Sequence, residues 1–507
     1  MRQYGPILIG IDQGTTNSKA LAINHLGQVL AQSERPLTTL TPQAGWVEQD
    51  AMEMFSQCVT CVREVMAKLG ITARQVMGVG IANQTETLVI WDPIRAEPVM
   101  QAMVWQCRRG EAELATLRRA NVADWLAERT GLSLDPTFTA AKLAWVMHHK
   151  PEIAAGLQNG HLLWGTVDCW LNWRLSNGQI YATEPGNASR TSLFNLKSQS
   201  WDPDLCALFG LKHLRMPELG RSARTYGTTA APIFGAAIPI TAAMGDQQAS
   251  LFGHGCFNSG EVKATYGTGA FLWANAGTQK PPQKTDGLIR TIAWDLGEPV
   301  FALEGFVMSA GGTLAWLAQQ FGLQGGGKAV VELAGNAKTG HGVTLVPAFQ
   351  GLATPWWNDN VRAALAGMTS ATGPAEICQA GLAAVCYQLR AALEVVTTAM
   401  GQSPAWLRVD GGLTKATSLM QLQADALQLP LHLAAQEALT PFGVALMAGL
   451  GSGLWQSPEA LRPFIGTTRM ICPRPITRTE QEAGYRHWRR AVELTIAGAQ
   501  TASLEGG

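Results

Sequence analysis

Between residues 7 and 35 the apolar positions fall into short runs around a polar, glycine-bearing corner. Ile7 to Asp12 reads as a buried strand, Gly14-Thr15-Thr16 as a tight turn and Ser18 to Ile23 as a second strand. Gln28 to Arg35 follows as a third strand able to pair back in a meander. The period then changes. Met52, Phe55, Val59, Val62, Val65 and Met66 recur at helical spacing and predict an amphipathic helix from about Asp50 to Leu69, with Asp50 as N-cap and Gly70 as its stop. Strands are predicted at Val76 to Ala82 and Leu88 to Trp91. Helix is predicted across 108–150, and a further helix opens within Gly165 to Leu175.

A second series starts near Glu261, with strands at Val262 to Tyr266 and Phe271 to Ala274 and helices at Glu376 to Met400 and Ser418 to Leu427. The two halves share an element order without a residue-level repeat. Strands interleaved with helices predict an α/β protein with mixed sheets. The expected division falls near 250–258, giving an N-terminal lobe over 1–253, a C-terminal lobe over 254–455 and a helical extension over 456–507. Its last amphipathic helix, about Thr479 to Ala497, reads as a surface clasp.

Composition narrows the picture. The 507 residues suffice for more than one core, and 47% apolar with 15% charged residues is a globular balance. Lys plus Arg and Asp plus Glu are equal at 38 each, so no global field points to nucleic acid or an anionic membrane. The apolar run at the N-terminus is too short for a signal peptide, and Phe442 to Trp455 is too short to span a bilayer. A cytoplasmic protein is expected. Cys58-x-x-Cys61 lies inside a helical pattern and has no second pair, so the nine cysteines read as core thiols of a reducing compartment rather than zinc ligands.

Candidate chemistry begins at the turns. Asp12-Gln13-Gly14-Thr15-Thr16 would offer backbone N–H groups and hydroxyls to an anion, with Asp12 able to orient a hydrated cation; an ordinary β-turn is the bland alternative. Tyr266-Gly267-Thr268-Gly269 repeats that chemistry, and Val409-Asp410-Gly411-Gly412 suits close approach of a nucleoside. Gly325-Gly326-Gly327-Lys328 lacks the preceding strand and the hydroxyl residue of a P-loop. Asp246, in Gly245-Asp246-Gln247-Gln248, stands at a strand end or helix start, either as a general base for an alcohol or simply as a helix cap. Glu86 and Trp105 are candidates to hold a polar acceptor, although with 17 tryptophans any one Trp can be core packing.

Taken together, these stretches resemble the glycerol kinases of the FGGY carbohydrate kinase family. The resemblance also rests on Gly45-Trp46-Val47-Glu48-Gln49-Asp50, Ala102 to Arg109, Gly165-Thr166-Val167-Asp168 and Asn187-Ala188-Ser189-Arg190-Thr191, in family order over nearly the whole chain. It implies two ribonuclease-H-like lobes of the actin and Hsp70 type, with the active site in the cleft between them. It implies Mg2+ and ATP, a small polyol or sugar as acceptor, and a homodimer or homotetramer. Asp246 matches the general base, with Asp12 beside it at the metal. Gln13, Gly14, Thr15, Thr16, Lys19, Gly267, Thr268, Gly311, Gly411 and Gly412 match the nucleotide side. Glu86, Trp105, Asp246, Gln247 and Phe271 match the acceptor contacts.

The departures fall in the acceptor pocket. Thr85 stands where the family has Arg, and Thr137 where it has Tyr; both changes remove polar contacts and enlarge the pocket. Thr354 and Asn358 also depart, Ala416-Thr417 replace an Asn pair near the adenine, and the loop at Phe234-Gly235-Ala236-Ala237 is shortened. Three readings follow: a kinase for glycerol, a kinase for a larger polyol or ketose (erythritol, a pentitol or a pentulose), and an ATP-binding sensor without turnover.

Overall fold

Two sheets carry the chain, which the computed structural model describes over residues 4–281, 287–475 and 478–505. The first is built from β1 (Ile7–Gln13), β2 (Asn17–Asn24), β3 (Val29–Pro36), β4 (Val76–Asn83), β5 (Ala223–Thr228) and β6 (Pro239–Gly245) in the order β5-β6-β4-β1-β2-β3. The expected meander is present: β1, β2 and β3 pair antiparallel, while β4 lies parallel to β1 and β6 parallel to β4. Helix α1 (Ala51–Leu69) buries Met54, Val62 and Val65 against this sheet. Asp50 accepts from the Met52 amide at its start, and Gly70 closes it at φ +62°. Cys58 and Cys61 are buried on α1, and among the described residues all the cysteines are free.

The stretch 108–150 is not one helical run. It divides into Glu111–Arg119, Ala123–Thr130 and α2 (Thr139–His149), because Gly131 stops the second at φ +77° and the Asp135–Phe138 turn precedes the third. Gly165 ends a short strand, Leu163–Gly165, rather than opening a helix; α3 begins at Val167 and ends at Leu175. Beyond β6 the chain turns directly into α4 (Asp246–Gly253).

The second sheet repeats the plan. It comprises β7 (Val262–Tyr266), β8 (Ala270–Gly277), β9 (Ile289–Asp295) and β10 (Pro299–Val307), then, past helices α5 (Gly311–Gln320) and α6 (Pro374–Met400), β11 (Leu407–Asp410). After α7 (Thr417–Leu427), β12 (Leu431–Ala434), α8 (Leu439–Gly451) and β13 (Thr467–Ile471) complete the order β9-β10-β8-β7-β11-β12-β13. Its inner run β10-β8-β7-β11-β12 matches β3-β2-β1-β4-β6 of the first sheet: antiparallel neighbours, then two strands parallel to them. The shared element order is therefore a shared topology. Helix α6 is long and apolar enough to cross a membrane by composition, but two-thirds of its most apolar window is buried in the second lobe.

Helix α8 follows β12 in the chain yet packs on the face of the first sheet, against β1, β4 and β6. It lies close because glycines line the contact. A Cβ on Gly10 would sit 1.8 Å from the Pro441 carbonyl oxygen, and one on Gly451 would sit 1.9 Å from that of Thr241. The last helix, α9 (Arg478–Glu505), is more than a surface clasp. Trp488 and Val492 are buried with Leu345, and the Trp488 indole donates to the Leu345 carbonyl at 3.1 Å.

Candidate active site

The parallel strands β1, β4 and β6 end side by side, with Asp12 level with Ala82 and Gly245 level with Asn83. This register gathers Asp12, the 83–87 turn and Asp246 at one edge of the sheet. Asp246 is the first residue of α4, and its Oδ1 accepts from the Gln247 amide at 2.6 Å; Gly245, not Asp246, is the cap position. Burial pushes the Asp246 carboxyl up to about 7, reinforced by the negative charges of Asp12 and Glu86 and opposed by Lys263. Burial likewise pushes Asp12 up to about 7, with Lys19 pulling the other way. Both residues stay partly exposed.

The first hairpin is held from behind by side-chain amides. Gln13 is fully buried and accepts from Gln84 at 3.3 Å, so its side chain braces the turn. Gly14 donates to the Asn17 carbonyl across the turn, and Gln49 donates to the Thr15 carbonyl at 2.6 Å. The Trp105 indole donates to Thr15 Oγ1 at 2.9 Å, which ties an expected acceptor contact to the expected phosphate hairpin. Thr16 is exposed at the tip. Lys19 pairs with Glu34 at 3.3 Å and lines a hollow with Lys68, Glu437 and Pro441.

The nucleotide-side candidates of the second lobe converge. Gly267 closes its hairpin on the Gly269 carbonyl at 2.9 Å, and Gly311 and Gly312, at the start of α5, donate to the Gly267 and Thr268 carbonyls. Gly411 has φ +96°, and a Cβ there would lie 2.2 Å from the Tyr266 carbonyl oxygen; Gly412 faces open space. Beneath them Thr265 donates to Asp410 at 2.6 Å, and His254 Nε2 lies 3.4 Å from the same carboxylate. Burial alone would raise the Asp410 carboxyl; His254, Lys263 and Thr265 more than offset it, and it lies below the usual range.

On the acceptor side, Glu86 sits at φ +62° in a three-residue turn closed by the Thr87 amide on the Thr85 carbonyl at 2.8 Å. Thr85 donates to Glu86 Oε2 at 2.7 Å, and its methyl packs where a Cβ on Gly245 would lie, 2.6 Å away. Thr137 lies in the turn opened by Asp135, which accepts from its amide at 2.8 Å. Gln247 accepts from the buried Lys263 at 2.8 Å, and Lys263 stands on β7, the strand that leads into the second hairpin. Phe271 stacks on Phe306 with centroids 4.7 Å apart.

Sequence reasoning gave no role to Lys142, Arg190, Lys263 or Glu304, all buried here. Lys142 donates to the Pro136 carbonyl at 3.2 Å and also to that of Thr137, and burial lowers its ammonium to about 8. Arg190 is bound by Glu86 at 2.5 Å and Glu304 at 2.6 Å. Arg190 did lie in a recognised stretch, Asn187 to Thr191; the other three carried no local signal. Among the described residues no group of three or more His, Cys, Asp or Glu gathers as a metal site.

The family model for the N-terminal domain of the FGGY carbohydrate kinases matches residues 7–253, and the C-terminal model matches 262–452. The chain is 38% identical over 488 residues to a glycerol kinase of Alcanivorax borkumensis, covering 96% of this chain and 98% of that protein. It is 39% identical over 491 residues to one of Geobacter sp. strain M21, covering 96% and 98%. Among solved structures it resembles the glycerol kinase of Plasmodium falciparum with ADP, at a TM-score of 0.91 and 28% identity over 97% of this chain and 99% of that one. A xylulose kinase from Lactobacillus acidophilus shares the fold at a TM-score of 0.90 and 18% identity, covering 98% of this chain and 99% of that one.

Proposed function

The chain belongs to the FGGY family of carbohydrate kinases, and from that premise we propose that it transfers the γ-phosphoryl group of ATP to a hydroxyl of glycerol, releasing ADP. The observation that carries this reading is the placing of Asp246. A carboxyl held near 7 stands at the start of α4, where the charges of Asp12 and Glu86 bear on it. Such a group accepts a proton near neutral pH, which is what an alcohol acceptor must lose.

Asp246 takes the hydroxyl proton as the alcohol oxygen bonds to the γ-phosphorus and the bond to the β-phosphate oxygen breaks. Glu86 and Gln247 orient the acceptor hydroxyls, with Trp105 and the Phe271 ring beside them. The Thr15 and Thr268 hairpins, with Gly411 and Gly412, offer amides and hydroxyls to the nucleotide, while Gly311 braces the second hairpin through the Gly267 carbonyl. Phosphoryl transfer asks the protein chiefly for alignment and charge stabilisation, which these rigid turns supply.

The residues present fit Mg2+. The Asp12 carboxylate accepts no hydrogen bond among the described residues, burial raises both carboxylates, and a hard ion takes one or two carboxylates together with nucleotide phosphates. Bound there, the ion would neutralise charge on the transferred oxygens.

Glycerol is favoured as acceptor because the near-full-length relatives are glycerol kinases. Thr85 spends its hydroxyl hydrogen on Glu86, so the turn is complete without the charged residue the family carries. The test is ADP release from Mg-ATP against glycerol, erythritol, ribitol, xylitol, xylulose, ribulose and dihydroxyacetone. Glycerol should give the highest kcat/KM. A longer polyol or ketose that exceeds it overturns the acceptor, and no turnover with any of them overturns the reading.

A further inference from the structure

Glu86 is the most constrained side chain of the acceptor site. Its backbone holds a left-handed φ of +62°, a sparsely populated conformation for a residue with a Cβ, which persists only where neighbours enforce it. The neighbours are identifiable: Thr139 Oγ1 donates to its carbonyl at 3.1 Å, Thr85 to its Oε2, and Arg190 Nε to its Oε1 at 2.5 Å.

Arg190 is the unusual member, because it answers to both lobes. Its Nη1 donates to Glu304 Oε2 at 2.6 Å, and Glu304 lies on β10 of the second sheet. The three side chains are each at most 7% exposed. Burial works against the guanidinium's charge, and the two carboxylates more than offset it. The segment carrying Arg190 is itself docked on the second sheet: Ser189 Oγ meets Thr291 Oγ1 at 2.7 Å and accepts from the Ile292 amide at 3.2 Å.

Strand alternation shows what else β10 brings. Glu304 and Phe306 are two residues apart and share a face; Phe306 pairs with Phe271 and Glu304 with Trp273 in the β8–β10 ladder. Arg190 also lies 5.9 Å from the Trp273 ring and 5.5 Å from that of Phe138, next to Thr137. One face of the second sheet thus meets the acceptor turn of the first lobe through a single planar cation.

We propose that Glu304 is a positioning residue for the acceptor site, acting across the lobes by holding Arg190 so that the Glu86 carboxylate is fixed for acceptor hydroxyls. This role presupposes the kinase function proposed above. A guanidinium presents its donors in a rigid fork, so anchoring Nη1 on Glu304 sets where Nε can hold Glu86. Without the Glu304 charge, Arg190 is free to turn wholly onto Glu86 and occupy the oxygen that the acceptor needs.

The experiment measures steady-state kinetics of the full-length enzyme with Mg-ATP and glycerol, for wild type, the near-isosteric Glu304→Gln and Arg190→Lys, with thermal midpoints recorded alongside. Glu304→Gln should raise the glycerol KM by about ten-fold or more while the ATP KM stays within about two-fold. Arg190→Lys keeps the charge but not the fork, and should do the same. A glycerol KM within two-fold of wild type in both variants overturns the proposal, as does a rise in both KM values that merely tracks a lowered thermal midpoint. A wild type that releases no ADP with glycerol overturns the functional reading first and this proposal with it.

Discussion

Asp12 on β1 and Asp246, the first residue after β6, lie one on each side of β4: Asp12 is level with Ala82, and Asp246 follows Gly245, which is level with Asn83. Each is buried enough to be raised to about 7, and the charge of Asp12 is among the causes for Asp246. Two carboxylates so placed repel one another until a proton or a cation intervenes.

This pair sets a pH dependence. The base works when deprotonated, so kcat/KM for the acceptor should rise with pH through about 7 and level off above it. Excess Mg2+ should move the inflection lower, because a bound cation favours the carboxylate form. A flat pH–rate profile between 5.5 and 8 at limiting Mg2+ would count against the assignment.

Stability of the ligand-free protein should run the other way. Both folded-state values lie above the unfolded value of about 4, so the contribution of the protonated pair is present below about pH 4 and lost as pH rises through about 7. Differential scanning fluorimetry should show added Mg2+ raising the thermal midpoint more at pH 8 than at pH 5.5. Equal shifts at both pH values would contradict it.

Much of the fold was legible because its signals are local. The change from strand to helical spacing, the Asp50 cap and the Gly70 stop placed β1 to β3 and α1 within a residue or two. The stretch 108–150 read as one helical pattern because composition there stays helix-forming while Gly131 and the Asp135 turn interrupt it. The packing of α8 on the first sheet was not legible, since what permits it is a set of glycines far apart in sequence, Gly10, Gly80 and Gly451, whose missing side chains matter only in three dimensions. The same holds at the site. Motifs supplied Asp12, Asp246 and the glycine turns, whereas Lys142, Lys263 and Glu304 are single charged residues inside apolar segments, and only burial shows what they hold.

Gly10→Ala tests that packing. The new methyl has no room beside the Pro441 carbonyl, so helix and sheet must part; overpacking of this kind costs about 1–3 kcal/mol and sometimes more. Chemical denaturation should show a lowered midpoint. Gly70→Ala meets no neighbour and should lose less, its penalty being the left-handed φ alone. Equal losses would argue against the close approach.

Trp105→Phe removes the indole donor to Thr15 while keeping a ring. A lost hydrogen bond of this type is worth about 0.5–1.5 kcal/mol, so kcat/KM should fall by about two- to ten-fold. Because the bond joins an expected acceptor contact to the phosphate hairpin, the change should appear with ATP and with glycerol as the varied substrate. An effect confined to glycerol would reduce Trp105 to a wall of the acceptor pocket.

The central claim is that Asp246 accepts the proton of an alcohol during phosphoryl transfer from ATP. The direct measurement follows γ-labelled ATP in a single turnover with glycerol, using wild type and Asp246→Asn, with nucleotide affinity determined separately. Wild type should move the label to glycerol, and Asp246→Asn should slow that step by about 10²–10⁴-fold while retaining nucleotide binding. Label transfer at an unchanged rate in Asp246→Asn, or none to any alcohol in wild type, would contradict the account.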